Sequence, residues 1–236
     1  GWAQIAIPDQ QTSKNERGYQ GWMPFEQLIN HESWQMDKDP IAIITSKKAV
    51  LYDENNEPHM ELSFQTVLPY LREHNGKAFV QTPTGIGLIN IENIMIYESL
   101  NMIPKGNGND IVATGEKFLH LPYLWGGMSS YGYDCSGFCH HIYKANGYSI
   151  PRDAHDQVNY GLEVSPNNIK KGDLLFFAKN DRIHHVGINY GDGMMLHSPS
   201  TGNEIEIIPV KGSKYEHELC IIRRPWIDME SGSYPI

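Results

Sequence analysis

The middle of the chain carries the stretch Tyr133-Asp134-Cys135-Ser136-Gly137-Phe138, on which the fold prediction depends. Apolar residues follow it at helical spacing as far as Asn146-Gly147, a pair typical of a helix end. The pattern predicts a helix from about Cys135 to Asn146. Cys135 then lies at the helix start, where unpaired backbone N–H groups and the helix dipole favour a thiolate. This position makes Cys135 a candidate nucleophile, although a buried cysteine more often acts as a small apolar side chain.

Helices surround this stretch, and strands come after it. Asp110 is predicted to cap a helix over Ile111–His120, and a shorter helix is predicted over Asp153–Tyr160. The predicted strands that follow are Leu174–Ala178, Val186–Tyr190, Met194–His197, Ile205–Val210 and Leu219–Arg223. Helices followed by an antiparallel sheet are typical of an α+β fold.

Two histidines on the predicted strands are candidate partners for the Cys135 thiol. Strand alternation places His185 on the face opposite to its neighbour His184. His197 lies on the next strand, and a hairpin turn at Gly191-Asp192-Gly193 would bring the two imidazoles together. In such a pair, one ring acts as the base and the other fixes its tautomer and orientation.

Metal binding is the alternative chemistry for the cysteine helix. Cys135 and Cys139 lie four residues apart, and His140-His141 follow. Zinc sites usually combine C-x2-C or C-x4-C spacings with a second ligand pair, so we expect no metal site and no cofactor. Cys139 is predicted on the buried helix face and Cys220 in a strand core.

The first half of the chain has a different sequence pattern, which predicts short strands separated by turns. The predicted strands are Ile41–Ile44, Ala49–Leu51, Glu61–Phe64, Val67–Leu71, Lys77–Gln81, Gly85–Leu88 and Ile94–Tyr97. Their spacing predicts a small, strongly bent sheet or barrel. Residues 2–7 and Gly18–Pro24 are predicted as strands of a similar unit.

Charge and composition exclude two classes of partner. The 236 residues carry 19 Lys and Arg against 28 Asp and Glu, a net charge of -9, which argues against nucleic acid. No apolar run approaches the roughly 18 residues of a membrane span.

Three cysteines cannot form a disulfide framework by themselves. The chain starts at Gly1 in mid-pattern, so we expect processing or a missing upstream piece.

Four ordered motifs carry a resemblance to a known family. They are Pro122-Tyr123-Leu124-Trp125-Gly126-Gly127, Asp134-Cys135-Ser136-Gly137-Phe138, Lys171-Gly172-Asp173-Leu174-Leu175-Phe176-Phe177 and His185-Val186-Gly187-Ile188. Over roughly residues 105–225 the chain resembles the NlpC-type bacterial cell-wall cysteine peptidases. The resemblance implies a papain-like fold with Cys135 as nucleophile, His185 as base and His197 as the third, orienting residue. It also places Tyr123 near the oxyanion site.

The upstream strands resemble bacterial SH3-like domains. The resemblance divides the chain into a partial first SH3-like domain (1–33), a second one (34–103) and a papain-like peptidase domain (104–236). This combination resembles the γ-D-glutamyl-L-diamino acid endopeptidases, which implies a peptidoglycan-derived partner, L-Ala-γ-D-Glu-diamino acid, with a free N-terminal L-Ala.

The same resemblance assigns substrate contacts to Asp134, Ser136 and Tyr19. Asp134 is also a candidate N-cap of the cysteine helix. Ala154 stands where relatives often carry a serine. Two alternatives remain: a non-catalytic peptidoglycan-binding protein, and an amidase or acyltransferase on the same fold.

Overall fold

The structure, a computed structural model, describes residues 1–29 and 34–226. Among the described residues the chain forms two units, one made of Gly1–Ala3 with residues 23–29 and 34–103, and the other of Gln4–Trp22 with residues 104–226. Strands β1 (Trp2–Ile7) and β2 (Tyr19–Pro24) pair in a sheet of two, which confirms both predicted strands. The predicted boundary between residues 33 and 34 adjoins residues 30–33, which lie outside the described residues.

The first unit contains all seven of the predicted strands, with slightly different ends. They are β3 (Ile41–Ile44), β4 (Lys48–Tyr52), β5 (Pro58–Ser63), β6 (Val67–His74), β7 (Lys77–Thr82), β8 (Gly85–Asn90) and β9 (Ile94–Tyr97). They form one antiparallel sheet in the order β5-β4-β8-β7-β6-β3-β9. Strand β6 pairs with β3 at its start and with β7 after a register shift at Tyr70, so the sheet bends.

The bend in this sheet encloses a small apolar core. The buried cluster consists of Ala42, Ile44, Ala49, Leu51, Leu62, Ala78, Val80, Ile89 and Ile94. Short 3-10 turns lie at Phe25–Gln27, Ile91–Asn93 and Leu100–Met102.

The second unit is α+β, as predicted. Its helices are α1 (Gly108–Glu116), α2 (Cys135–Ala145) and α3 (Ala154–Gln157), and a 3-10 turn covers Pro166–Asn168. Its strands are β10 (Met128–Ser129), β11 (Gly132–Tyr133), β12 (Leu162–Glu163), β13 (Leu174–Lys179), β14 (Arg182–Gly191), β15 (Met194–His197), β16 (Glu206–Pro209) and β17 (Leu219–Arg224). Six strands form a sheet in the order β12-β17-β13-β14-β15-β16, and α2 packs against β14. Within residues 1–29 and 34–226, no helix has the length and apolarity of a membrane span.

Helix α1 begins earlier than predicted, because Asp110 is not its cap. The cap is Asn107, whose side chain accepts hydrogen bonds from the backbone N–H groups of Asn109 and Asp110. The Asp110 carboxylate in turn accepts from the Asn107 backbone N–H at 2.8 Å. This reciprocal capping box satisfies the first N–H groups and moves the helix start to Gly108.

Cys220 is exposed, so the prediction of a strand-core position is wrong. The register of β13 against β17 shifts here: Phe176 pairs with Ile221 and Phe177 pairs with Leu219, leaving Cys220 opposite no residue. A bulge of this kind breaks the alternation on which the prediction relied. The thiol instead hydrogen-bonds the carbonyl oxygen of Phe176 at 3.3 Å.

Asp173 ties the end of β17 to the start of β13. Its fully buried carboxylate accepts hydrogen bonds from Nε and Nη2 of Arg224, both at 2.7 Å, and from Nε1 of Trp226 at 3.1 Å. Burial raises the pKa of Asp173 despite these donors. The Lys171-Gly172-Asp173 motif therefore holds the sheet together at the strand that precedes β14.

Candidate active site

Helix α2 presents Cys135 in its first turn, as predicted. Oδ1 of Asp134 accepts a hydrogen bond from the Gly137 backbone N–H at 2.7 Å, which confirms Asp134 as the N-cap. A side chain at Gly137 would collide with the carbonyl oxygen of Gly127. Glycine at this position therefore lets the Gly126-Gly127 loop pack against the helix start, beside the partly buried thiol.

The Cys135 thiol lies against strand β14. It accepts hydrogen bonds from the backbone N–H groups of Val186 and Ser136. Burial, followed by the charge of Asp134, nevertheless raises the pKa of Cys135 to about 11. The expectation of a favoured thiolate is therefore wrong for the resting site, because desolvation and the adjacent carboxylate outweigh the helix-terminal donors.

The two predicted histidines, His185 on β14 and His197 on β15, lie side by side on neighbouring strands. Nε2 of His185 on β14 lies 2.8 Å from Nδ1 of His197 on β15, and both rings are buried. Burial, together with the charges of His197, His184 and Lys214, lowers the pKa of His185 well below its ordinary value. Burial and Lys214 lower the pKa of His197 to about 4. Both imidazoles are thus neutral at rest.

His184 points away from this pair, as the strand alternation predicted. Its Nε2 lies 3.0 Å from Oε2 of Glu218, on the more exposed side of the strand. His184 therefore contacts Glu218, whereas His185 contacts His197.

Gly187 permits the close approach of the two histidine strands. A Cβ atom there would collide with Sδ of Met195 and would lie 3.1 Å from Cβ of His197. Glycine in a strand often marks such a close approach. The motif glycine next to His185 is therefore part of the geometry that brings His197 into place.

Tyr215 holds the plane of the His185 ring, a role that no sequence pattern predicted. The two rings stack at a centroid distance of 4.7 Å and an angle of 18°. The same tyrosine meets His197 edge to face at 5.4 Å. Its position in a loop, far along the chain from the histidines, left no periodic signal that could have indicated this role.

Arg152 is a second residue that the sequence analysis did not single out. Its Nη2 donates to Oδ2 of Asp134 at 2.7 Å, and its Nη1 lies 3.0 Å from Oδ1 of Asp134 and from Oγ of Ser136. All three residues are buried. The signal for Arg152 was its place directly before Asp153 and Ala154, where a cation lies close to acidic residues in the sequence.

Tyr19 is also brought to this end of α2. Its hydroxyl donates a hydrogen bond to the Asp153 carboxylate, and burial and that charge raise the pKa of Tyr19. Asp153 in turn lies 3.8 Å from Nη1 of Arg152. The segment before Tyr19 is fixed within the same unit, because the Arg152 backbone N–H donates to the carbonyl of Gln11 and Lys144 contacts Asp9 at 2.5 Å.

Tyr123 lies close enough to the Cys135 thiol for the two groups to interact electrostatically. It is partly buried, and burial together with the charges of Cys135 and Asp134 raises its pKa to about 12. It borders a cavity of about 460 Å³. The other lining residues are Pro122, Gly202, Asn203, Glu204 and Glu206.

The two histidines of α2, His140 and His141, bond backbone carbonyl groups. Nδ1 of His140 bonds the carbonyl of Ile150 at 2.9 Å, and Nδ1 of His141 bonds that of Gly137 at 3.2 Å. Cys139 is fully buried on the helix face, as predicted. Across the described ranges, no group of three or more His, Cys, Asp or Glu side chains could hold a metal ion.

Comparisons with known proteins agree with this geometry. The model of the NlpC/P60 family matches residues 120–224, and that of the YKFC SH3b2 domain matches residues 44–97. The chain is 45% identical over 226 residues to the gamma-D-glutamyl-L-lysine dipeptidyl-peptidase of Bacillus subtilis (strain 168), covering 94% of this chain and 74% of that protein. It is 40% identical over 230 residues to the protein of that name from Bacillus cereus, covering 94% and 69%.

A solved structure extends the likeness to three dimensions. The crystal structure of an NlpC/P60 family protein from Bacillus cereus superposes with a TM-score of 0.90 at 38% identity, covering 96% of this chain and 76% of that one. The resemblance seen in the four motifs is thereby confirmed. With an SH3b domain before a thiol and histidine pair on a papain-like sheet, the chain belongs to the NlpC/P60 family of cysteine peptidases.

Proposed function

We propose that this peptidase hydrolyses the γ-D-glutamyl–diamino acid bond of peptidoglycan stem peptides that have a free N-terminal L-Ala, releasing L-Ala-γ-D-Glu. The observation that carries the proposal is the Cys135 thiol at the backbone N–H of Val186, the residue directly after His185, whose ring is hydrogen-bonded to His197. The names of the two Bacillus relatives, which match 94% of this chain, support the choice of bond.

Cys135 is the nucleophile and His185 the base in this proposal. Since both groups are neutral at rest, the thiol proton moves to His185 as the sulfur attacks the γ-carbonyl carbon. His185 then protonates the leaving amine of the diamino acid, and a thioester to L-Ala-γ-D-Glu remains. Water, deprotonated by His185, cleaves the thioester and restores the thiol. His197 orients the base through the 2.8 Å hydrogen bond.

Attack on the γ-carbonyl carbon places a negative charge on its oxygen, and this oxyanion needs hydrogen-bond donors. The backbone N–H of Cys135 lies in the first turn of α2, where N–H groups have no partner within the helix. The Tyr123 hydroxyl is the proposed second donor. A pKa of about 12 keeps this hydroxyl protonated, so it can donate to an oxyanion at neutral pH.

The N-terminal dipeptide is proposed to bind at Asp134, Ser136 and Tyr19. Arg152 already neutralises Asp134, so a substrate ammonium there needs a further carboxylate. Asp153, which Tyr19 holds by a hydrogen bond, supplies that carboxylate on the same side. The division of the chain at residues 33 and 103 into two SH3-like domains and a peptidase domain remains part of this proposal.

The test is digestion of L-Ala-γ-D-Glu-L-Lys and its diaminopimelate counterpart, with mass spectrometry of the products. We expect release of L-Ala-γ-D-Glu, and a loss of at least ~10³-fold in kcat for Cys135→Ala. Cys220→Ser, which alters only the exposed thiol, is the matched control and should retain full activity. Cleavage by Cys135→Ala, binding without turnover, or cleavage at another amide would contradict the proposal.

A further inference from the structure

The far nitrogen of His197 has an unusual environment. Nε2 is buried and forms no hydrogen bond within the described part of the chain. A carboxylate oxygen, Oε1 of Glu206, lies 3.5 Å from it. The sheet register explains this proximity, because His197 on β15 is paired directly with Glu206 on β16.

The hydrogen bond between the two histidines has two possible directions, and only one suits catalysis. If Nε2 of His185 donates, its Nδ1 is an acceptor that can take the Cys135 proton. If Nδ1 of His197 donates instead, neutral His185 carries its proton on Nδ1 and cannot act as a base there. The tautomer of His197 therefore decides whether His185 is competent.

We infer that Glu206 is a positioning residue that fixes the His197 tautomer through Nε2 and thereby prepares His185 as the base. A carboxylate only accepts hydrogen bonds, so it holds the His197 proton on Nε2 and leaves Nδ1 as the acceptor. A displacement of about 0.5 Å of this half-exposed side chain brings the contact into hydrogen-bond range. The carboxylate also offsets the positive charge that His185 gains when it takes the thiol proton.

The other charged and titratable groups around the pair do not supply this function. Lys214 is cationic and disfavours protonation of both rings. His184 is occupied by Glu218, and Tyr215 covers the ring face rather than a ring nitrogen. The Cys135 thiol is hydrogen-bonded by the Val186 backbone N–H on β14 and is the group whose proton His185 takes.

The experiment compares Glu206→Gln, Glu206→Leu and the matched control Glu218→Gln. The control removes the charge of a carboxylate that also contacts a histidine, His184, outside the site. We expect Glu206→Leu to lower kcat by about 10–100-fold with little change in KM, and Glu206→Gln to lower it less because its amide oxygen still accepts. The control should keep the kcat and pH profile of the natural chain. Thermal unfolding verifies that each variant is folded.

A second readout does not depend on the substrate. The ¹⁵N shifts of the imidazoles should show His197 protonated on Nε2 in the natural chain and a mixture of tautomers in Glu206→Leu. An unchanged tautomer with unchanged kcat overturns the inference, as does a rise in KM alone, which would make Glu206 a substrate contact of the cavity. The kinetic arm rests on the proposed function. If the natural chain does not cleave the peptide, that function fails, whereas the ¹⁵N shifts still decide the role of Glu206.

Discussion

Nη2 of Arg152 lies 2.7 Å from Oδ2 of Asp134, the residue directly before the nucleophile. The pair is buried, and Ser136 shares the same guanidinium. One arginine therefore supports both neighbours of Cys135, while Asp134 also caps the helix on which the thiol is placed. The position of the thiol thus depends on a buried charge pair at the start of its helix.

Arg152→Met should destabilise the protein strongly, because it leaves the Asp134 carboxylate buried without its cation. We expect a loss of about 3–5 kcal/mol in the free energy of unfolding, measured by urea denaturation. The control is Glu204→Gln, which breaks the exposed contact of Glu204 with His120 in the same unit and should cost less than about 1 kcal/mol. Equal losses in the two variants would refute the importance of this buried pair.

The pH dependence of alkylation tests the resting state of the thiol. A pKa of about 11 means that little thiolate exists at pH 7, and the lowered pKa of His185 disfavours a preformed ion pair. The rate of iodoacetamide modification at Cys135 should therefore rise with pH through neutrality and beyond pH 9, as read by mass spectrometry of the Cys135 peptide. A plateau between about pH 5 and 8 would instead indicate a thiolate–imidazolium pair.

Tyr19→Phe should weaken substrate binding, because the hydroxyl no longer holds the Asp153 carboxylate in place for the substrate amine. For the substrate with a free L-Ala amine we expect KM to rise by about 10-fold with little change in kcat. A substrate whose L-Ala amine is acetylated should bind poorly to both the natural chain and Tyr19→Phe. Tyr190→Phe, which loses a hydrogen bond to Glu116, serves as control. Equal KM values for the two variants would argue against Tyr19 as a substrate contact.

Gly187→Ala should displace His197, since the new Cβ meets the side chain of Met195 and Cβ of His197. We expect kcat to fall by at least ~10-fold and stability to fall by about 1–3 kcal/mol, as for other overpacked sites. Gly21→Ala adds the same methyl group in open space and should change neither quantity. Activity of the Gly187→Ala form at the natural level would show that the close strand approach is not required.

Much of the fold followed from local pattern. The start of α2, the seven strands of the first unit and the turn between β14 and β15 all depend on signals within a few residues of one another, such as alternation, caps and glycine turns. The exposure of Cys220 did not follow, because a bulge depends on the pairing of two strands that are distant in sequence. The early start of α1 required choosing between Asn107 and Asp110, two capping side chains three residues apart.

The candidate site was predictable to the extent that its motifs are local. Cys135, His185 and His197 each carry such a signal, and the structure brings them to one place in the second unit. Tyr215 and Glu206 lie near the histidines because of tertiary packing and strand pairing, and no short sequence pattern predicts these contacts. The direction of the Cys135 pKa shift also required the structure, because burial and the Asp134 charge act on the folded site.

A thiol that stays protonated at rest has a consequence for its lifetime. Peroxides attack thiolates, and oxidation past the sulfenic acid cannot be reversed for an ordinary enzyme. Because Cys135 becomes a nucleophile only while His185 takes its proton, the resting protein exposes little of the reactive form to oxidants. The raised pKa of Cys135, which is unfavourable for a nucleophile at rest, should therefore slow oxidation of the thiol between turnovers.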